Sequence, residues 1–214
     1  MSRSNSLARK SKTMSENLHG NVPDTFPVVL LIIDMINDLE FPNGDKLLPA
    51  ALEAAQHIAT LKRKARRLNI PVVYVNDNFG RWRSDFNEVV DHCLNDGVRG
   101  QPLAELLRPD PDDYFVLKPK HSAFYMTTLD TLLEHLKAEK LILTGISADV
   151  CVLLSASDAY MREYDLHVPA NCVATDAPTH TQTALTYVRR VLSADTTPSE
   201  QLDLQDLCQS VRAS

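Results

Sequence analysis

Six apolar residues, Val28-Val29-Leu30-Leu31-Ile32-Ile33, run without a polar break into Asp34. A run this short does not make a buried helix. Its lack of alternation predicts a strand covered on both faces, as in a parallel sheet between two helical layers. The rest of the chain repeats the theme. Leu48, Leu52, Ala55, Ile58 and Ala59 share one helical stripe within 47–68, Pro71 opens a strand at Val72-Val73-Tyr74-Val75, and Tyr114-Phe115-Val116-Leu117 reads as a third strand. A helix over 129–136 leads to a fourth strand at Leu141-Ile142-Leu143. A helix over 150–164 leads to a fifth strand within 166–173, and a last helix covers 183–191. The polar stretch from Asn76 to Gly100 reads as a long loop with some helix. Strands alternating with helices in this way require right-handed crossovers. The predicted fold is therefore α/β, a doubly wound, mainly parallel β-sheet flanked by helices on both faces.

The 214 residues carry 22 basic and 28 acidic side chains, a net charge of −6. That balance offers no broad basic face to a nucleic acid. No apolar run approaches bilayer length, so no membrane partner is expected either. Cys93, Cys151, Cys172 and Cys208 lack the close pairs of a zinc site and the density of a disulfide scaffold, which fits a reducing, cytoplasmic setting. Residues 1–25 read as a flexible tail. Arg3, Arg9, Lys10 and Lys12 among serines are similar in charge to an organelle presequence, but apolar residues are too few for its amphipathic face. Residues 26–214 form the predicted domain.

In open sheets of this kind, ligands bind beyond the carboxyl ends of the strands. Strand one ends at Asp34, strand three at Lys118, and strand four passes through Gly145 and Ile146 to Cys151 at a helix start. An acid, a base and a thiol thus converge on one rim. Each has a plainer role available: a helix N-cap for Asp34, a solvated strand-end charge for Lys118, a small buried helix residue for Cys151. Together they specify nucleophilic chemistry. Asp34 can take the thiol proton and return it to a leaving amine, and Lys118 can hold that carboxylate while favouring thiolate. The helix start also favours thiolate and offers N–H groups to a developing oxyanion. Cys151 is accordingly expected to be the most reactive of the four thiols, and Asp38 reads as a loop-bracing residue. A dinucleotide site would need a G-x-G-x-x-G turn after strand one, and no glycine follows Ile33 there.

Three segments carry a family resemblance. Leu31-Ile32-Ile33-Asp34-Met35-Ile36-Asn37-Asp38, Lys118-Pro119-Lys120-His121-Ser122-Ala123-Phe124 and Thr144-Gly145-Ile146-Ser147-Ala148-Asp149-Val150-Cys151-Val152 resemble the signature blocks of the isochorismatase-like cysteine hydrolases. They occur in order and at the usual spacing, over about residues 28 to 195. The resemblance implies a three-layer sandwich and an Asp-Lys-Cys triad at Asp34, Lys118 and Cys151, with Lys120 excluded by its position before the Ser-Ala-Phe block. It also implies a non-proline cis peptide joining Ile146 to Ser147, the Ser147 and Cys151 N–H groups facing the substrate oxygen, and assembly into dimers or tetramers.

Nicotinamidases of this family carry an Asp-x-His metal motif after the second strand. Here that place reads Asn76-Asp77-Asn78-Phe79-Gly80-Arg81-Trp82, without a histidine, so no metal and no other cofactor is expected. Isochorismate-cleaving members commonly lack the cysteine. Cys151 therefore points to acyl chemistry: hydrolysis of a C–N bond in a small amide or carbamoyl/ureido compound through a thioester, with Asp34 serving both the thiol and the attacking water. The alternatives are an isochorismatase or nicotinamidase-type hydrolase, or a non-catalytic scaffold member, the last opposed by the intact triad. The substrate pocket is expected to draw on Asn76, Trp82, His121 and Phe124, with Asp77 and Tyr125 as further candidates and His121 the plainest of them.

Overall fold

The computed structural model describes residues 26–77 and 85–210. The tail over 1–25, Trp82 with its flanking arginines, and residues 211–214 lie outside the described residues. Strand β1 (Val28–Ile33) occupies the middle of the sheet and is buried along its whole length. Val28, Leu30 and Ile32 enter one apolar cluster, while Val29, Leu31 and Ile33 enter another on the opposite face. This two-sided burial is what the unbroken apolar run requires.

After β1 come α1 (Gly44–Arg67), β2 (Val72–Asp77), α2 (Phe86–Asn95), α3 (Gln101–Leu106), β3 (Tyr114–Lys118), α4 (Leu129–Leu136) and β4 (Lys140–Ile146). A π-helical turn, Ala148–Val152, runs directly into α5 (Leu153–Met161), followed by β5 (Asp165–His167), β6 (Val173–Ala174), α6 (Pro178–Val191) and α7 (Leu204–Gln209). The sheet order is β3-β2-β1-β4-β5, with β6 beside the end of β4, and each pairing is parallel. Helices α1, α2, α3 and α7 cover the Leu30 face, and α4, α5 and α6 cover the Leu31 face. The order reverses between β1 and β4, so the crevice for a ligand opens beyond their carboxyl ends. No helix among the described residues is long and apolar enough to cross a membrane.

Register delivers the rim residues to one level. Ile33 lies opposite Val75 on β2 and Gly145 on β4, and Asp77 lies opposite Lys118. Gly145 is indispensable to this edge: its φ is +118°, and a Cβ there would lie 2.0 Å from the Ile33 carbonyl oxygen. Gly145→Ala is expected to destabilise the fold by about 3 kcal/mol or more, because strand backbone rather than a yielding side chain blocks the methyl group. Chemical denaturation at equilibrium measures it.

Several elements depart from the sequence reading. β2 runs on to Asp77, β4 extends to Ile146, and the helix expected over 150–164 divides into the π-helical turn and α5. The strand expected within 166–173 breaks into β5 and β6. Pro169 has no N–H for a ladder, and its carbonyl accepts from the Cys172 N–H at 2.8 Å in a turn. Helices α3 and α7 have six residues each, too few to show a helical period.

Candidate active site

Asp34 leaves β1 with φ +54°, a left-handed conformation that aspartate tolerates better than most residues. Its Oδ1 accepts the Asp77 N–H at 2.8 Å, and its Oδ2 meets the Lys118 Nζ at 2.8 Å. It serves as a cross-strand acceptor rather than as a helix N-cap. Lys118, the last residue of β3, is fully buried, in contrast to the solvated strand-end charge that its position alone would allow. A buried ammonium requires compensation. Lys118 Nζ finds it in Asp34, in the Asp77 Oδ2 at 3.7 Å and in the Cys151 Sγ at 3.6 Å. Lys120, by contrast, is exposed. Cys151 projects from the π-helical turn, half-buried, and the cis peptide bond Ile146–Ser147 lies at the entry to that turn.

The three groups titrate as one system. Burial works to pull Lys118 down, but the charges of Asp34 and Cys151 outweigh it and hold the ammonium above its ordinary value. Burial raises Asp34 despite the opposing pull of Lys118. Burial, followed by the Asp34 charge, pushes the Cys151 thiol up to about 12, although Lys118 and a hydrogen bond from the Ser147 N–H both act to lower it. Burial and the Asp34 charge thus outweigh the influences of the helix start and the lysine that favour thiolate, and Asp34 is the neighbouring group able to take the proton. Cys93 and Cys172 are also pushed up to about 12, by burial in the core, and are packing residues.

The sulfur opens into a cavity of about 510 Å³. Its lining combines apolar Phe41, Pro42, Leu47, Ile146 and Val150 with polar Asp34, Asn37, Asp77, Asp149, Asp176 and His121. His121, the plainest sequence candidate, lines it with Nδ1 4.0 Å from the Cys151 Sγ. Two other expectations need correction. Asn76 is fully buried and braces the turn after Asp34, its Nδ2 donating to the Ile36 carbonyl at 2.6 Å, and it is not among the described residues lining the cavity. Phe124 points into the core on the α5 side. Ser122 bonds Asp158 and receives the Phe124 N–H, and the ring packs on Tyr164 with the Arg162 guanidinium 4.7 Å from its centre. Tyr125 is exposed and away from the cavity wall, and Trp82 lies outside the described residues. Asp38 braces its loop, accepting the Glu40 N–H at 3.0 Å.

The stretch Asn37–Asn43, not expected from the sequence to line the cavity, contributes Asn37, Phe41, Pro42 and Asn43 to it. The signal available was topological: this segment leaves β1 at the same rim as Asp34. Arg99 holds it in place, its Nη1 donating to the Leu39 carbonyl at 2.5 Å, while the Gly100 N–H donates to the Asp38 carbonyl at 2.8 Å. Among the described residues no three His, Cys, Asp or Glu side chains are grouped as a metal site.

Comparison with known proteins gives the family and the fold. The isochorismatase domain matches residues 28–201. The chain is 42% identical over 173 residues to the uncharacterized isochorismatase family protein YaaI of Bacillus subtilis, covering 81% of this chain and 94% of that protein. It is 31% identical over 179 residues to an isochorismatase of the same organism, covering 81% of this chain but 56% of that protein. The crystal structure of N-carbamoylsarcosine amidase from Thermoplasma acidophilum superposes with a TM-score of 0.66 at 27% identity, over 83% of this chain and 99% of that one. Matched by the domain along nearly all of its sheet and helices, and with the aspartate, lysine and cysteine of the three signature blocks meeting at one rim, the chain belongs to the isochorismatase family and is an isochorismatase-like hydrolase.

Proposed function

We propose that this hydrolase cleaves a C–N bond of a small amide or ureido compound through a thioester on Cys151. The observation that carries the reading is the thiol itself. It lines the cavity with Lys118 Nζ at 3.6 Å and beside the Asp34 carboxylate, which lines the same cavity. Asp34 takes the sulfur proton as the thiolate attacks the carbonyl carbon. Lys118 keeps the ammonium charge that stabilises the sulfur anion. The tetrahedral oxyanion is held by the Ser147 and Cys151 N–H groups, Asp34 protonates the departing nitrogen, and water hydrolyses the thioester. Likeness to an N-carbamoylsarcosine amidase supports this choice of bond.

A second reading has its own support. The isochorismatase relative carries the name of a vinyl-ether hydrolysis, in which Asp34 would act as the acid and Cys151 would be a bystander. Against it, Asp34, Asp77, Asp149 and Asp176 line the cavity and no lysine or arginine does among the described lining residues, a poor match for a dicarboxylate. The test is a panel of small amides and ureido compounds assayed for ammonia or amine release, with isochorismate in parallel, each with wild type and Cys151→Ala. Amine release that disappears in Cys151→Ala supports the thioester. Isochorismate turnover that survives in Cys151→Ala supports the second reading. Turnover is expected to persist after exhaustive chelation, because the stretch from Asn76 to Trp82 has no histidine. Loss with chelator and recovery on adding zinc, iron or manganese would reverse that expectation.

A further inference from the structure

We infer that Ser155 is a positioning residue for the nucleophile: its hydroxyl ties the turn that carries Cys151 to the loop that carries His121. The inference rests on the reading of Cys151 as nucleophile. Ser155 lies in the first turn of α5, four residues beyond Cys151, and is fully buried. Its Oγ donates to the Cys151 carbonyl at 2.6 Å and accepts the Ala123 N–H at 2.9 Å. One hydroxyl thus gives its single proton to the nucleophile's own backbone and a lone pair to the second signature block. A serine within a helix is satisfied by the first of these bonds alone. Ser157 is that simpler case: its Oγ donates to the Leu153 carbonyl at 2.9 Å and, among the described residues, makes no bond to the loop.

The tie joins two irregular segments. Cys151 sits in a π-helical turn, in which the Ser147 carbonyl accepts the Val152 N–H at 3.1 Å and the Val150 N–H at 3.2 Å. Such a turn is wider than an α-helical one and occurs in short pieces, often at functional sites. Between β3 and α4, residues 119–128 form neither helix nor strand. Ala123 lies in that loop, two residues after His121, whose Nδ1 is 4.0 Å from Sγ, and five after Lys118, whose Nζ is 3.6 Å from it. The Thr127 Oγ1 closes the loop on the Ala123 carbonyl at 2.6 Å, and Ser122 bonds Asp158 further along α5. Of these anchors, Ser155 is the one that reaches the residue bearing the thiol. Without its hydroxyl the fully buried Ala123 N–H loses its acceptor, and loop and turn must shift apart to satisfy it. A displacement of about 1 Å between reacting groups is enough to cost on the order of 10²-fold in rate.

The test uses the full chain and the chromogenic ester p-nitrophenyl acetate, whose first-turnover release of p-nitrophenolate reports acylation of Cys151. The variants are Ser155→Ala, the isosteric pair Ser155→Thr and Ser155→Val, and Ser157→Ala, which loses the same helical bond without touching the loop. Threonine keeps a hydroxyl able to reach the carbonyl four residues back, and valine has its shape without the hydroxyl. Acylation is expected to slow about 10- to 100-fold in Ser155→Ala and Ser155→Val, and to stay within about threefold of wild type in Ser155→Thr and Ser157→Ala. The amplitude of the first turnover counts the folded sites, so each rate is read on folded protein. If Ser155→Ala does not fold, the isosteric pair decides alone. Acylation of folded Ser155→Ala near the wild-type rate, or equal rates in the isosteric pair, overturns the inference and leaves Ser155 a packing residue. Absence of acetyl-Cys151 from peptide maps of the wild type, or release that persists in Cys151→Ala, removes the nucleophile reading and this inference with it.

Discussion

Cys151→Ala and Asp34→Asn are each expected to lower kcat by on the order of 10⁴-fold or more, and the double variant should be little worse than either single one. Residues that act as one unit lose nearly everything with the first deletion. The geometry makes such a unit here, since the same Asp34 carboxylate holds Lys118 at 2.8 Å and engages the Cys151 sulfur. Lys118→Met should follow, because it removes the charge while filling the same buried space. Lys120→Ala should leave turnover near wild type, its side chain being exposed. Circular dichroism and thermal melting separate chemistry from folding. Breaking a buried ion pair can cost about 3 to 5 kcal/mol, so Lys118→Met is the variant most in need of that control. If Lys120→Ala abolished turnover and Lys118→Met did not, the lysine would be misassigned. If the double variant lost the product of both single effects, Asp34 and Cys151 would act independently and the shared-proton cycle would be wrong.

The features legible in the sequence are those written as unbroken runs or as the residues that end them. Val28 to Ile33 could be placed at the sheet centre because nothing polar interrupts it, and Asp34 and Lys118 could be placed at the rim because each ends such a run. The wall from Asn37 to Asn43 has no periodicity. Its place beside the sulfur depends on Arg99, some sixty positions away, reaching back to the Leu39 carbonyl. Phe124 shows the opposite problem. It lies three residues from His121, yet the Ser122 contact with Asp158 turns its ring into the core while His121 faces the cavity. Which side of a loop faces a ligand is a tertiary fact. The thiol's protonation state was hidden for a similar reason. A helix start and a lysine are visible in a sequence, whereas burial and contact with a carboxylate from a strand end more than a hundred residues earlier are not.

That contact sets up a result opposite in sign to the loss of turnover. Asp34→Asn should make Cys151 react faster with iodoacetamide at pH 7, by between about ten- and a hundredfold, although the same variant no longer turns over. Thiolate is the species alkylated, and burial together with the Asp34 charge pushes this thiol up, so that little thiolate is present at that pH. Of the influences that raise it, burial remains in the variant but the Asp34 charge is gone. The Lys118 ammonium at 3.6 Å and the Ser147 N–H, which both lower it, stay. Removing a unit charge at about 4 Å changes the energy by about 4 kcal/mol at an effective dielectric near 20, or roughly three decades in thiolate population. Nucleophilicity falls with pKa along a slope of about 0.4 to 0.5, which leaves between one and two decades of net gain. Lys118→Met should shift labelling the other way, since it removes the lowering charge and keeps the carboxylate. Peptide mapping after brief labelling reads all four cysteines at once, and the buried Cys93 and Cys172 should stay unmodified in wild type and variants alike. If Asp34→Asn labelled no faster than wild type, the carboxylate would be doing more to remove the thiol proton than to oppose the thiolate's charge, and the raised thiol would have a different cause.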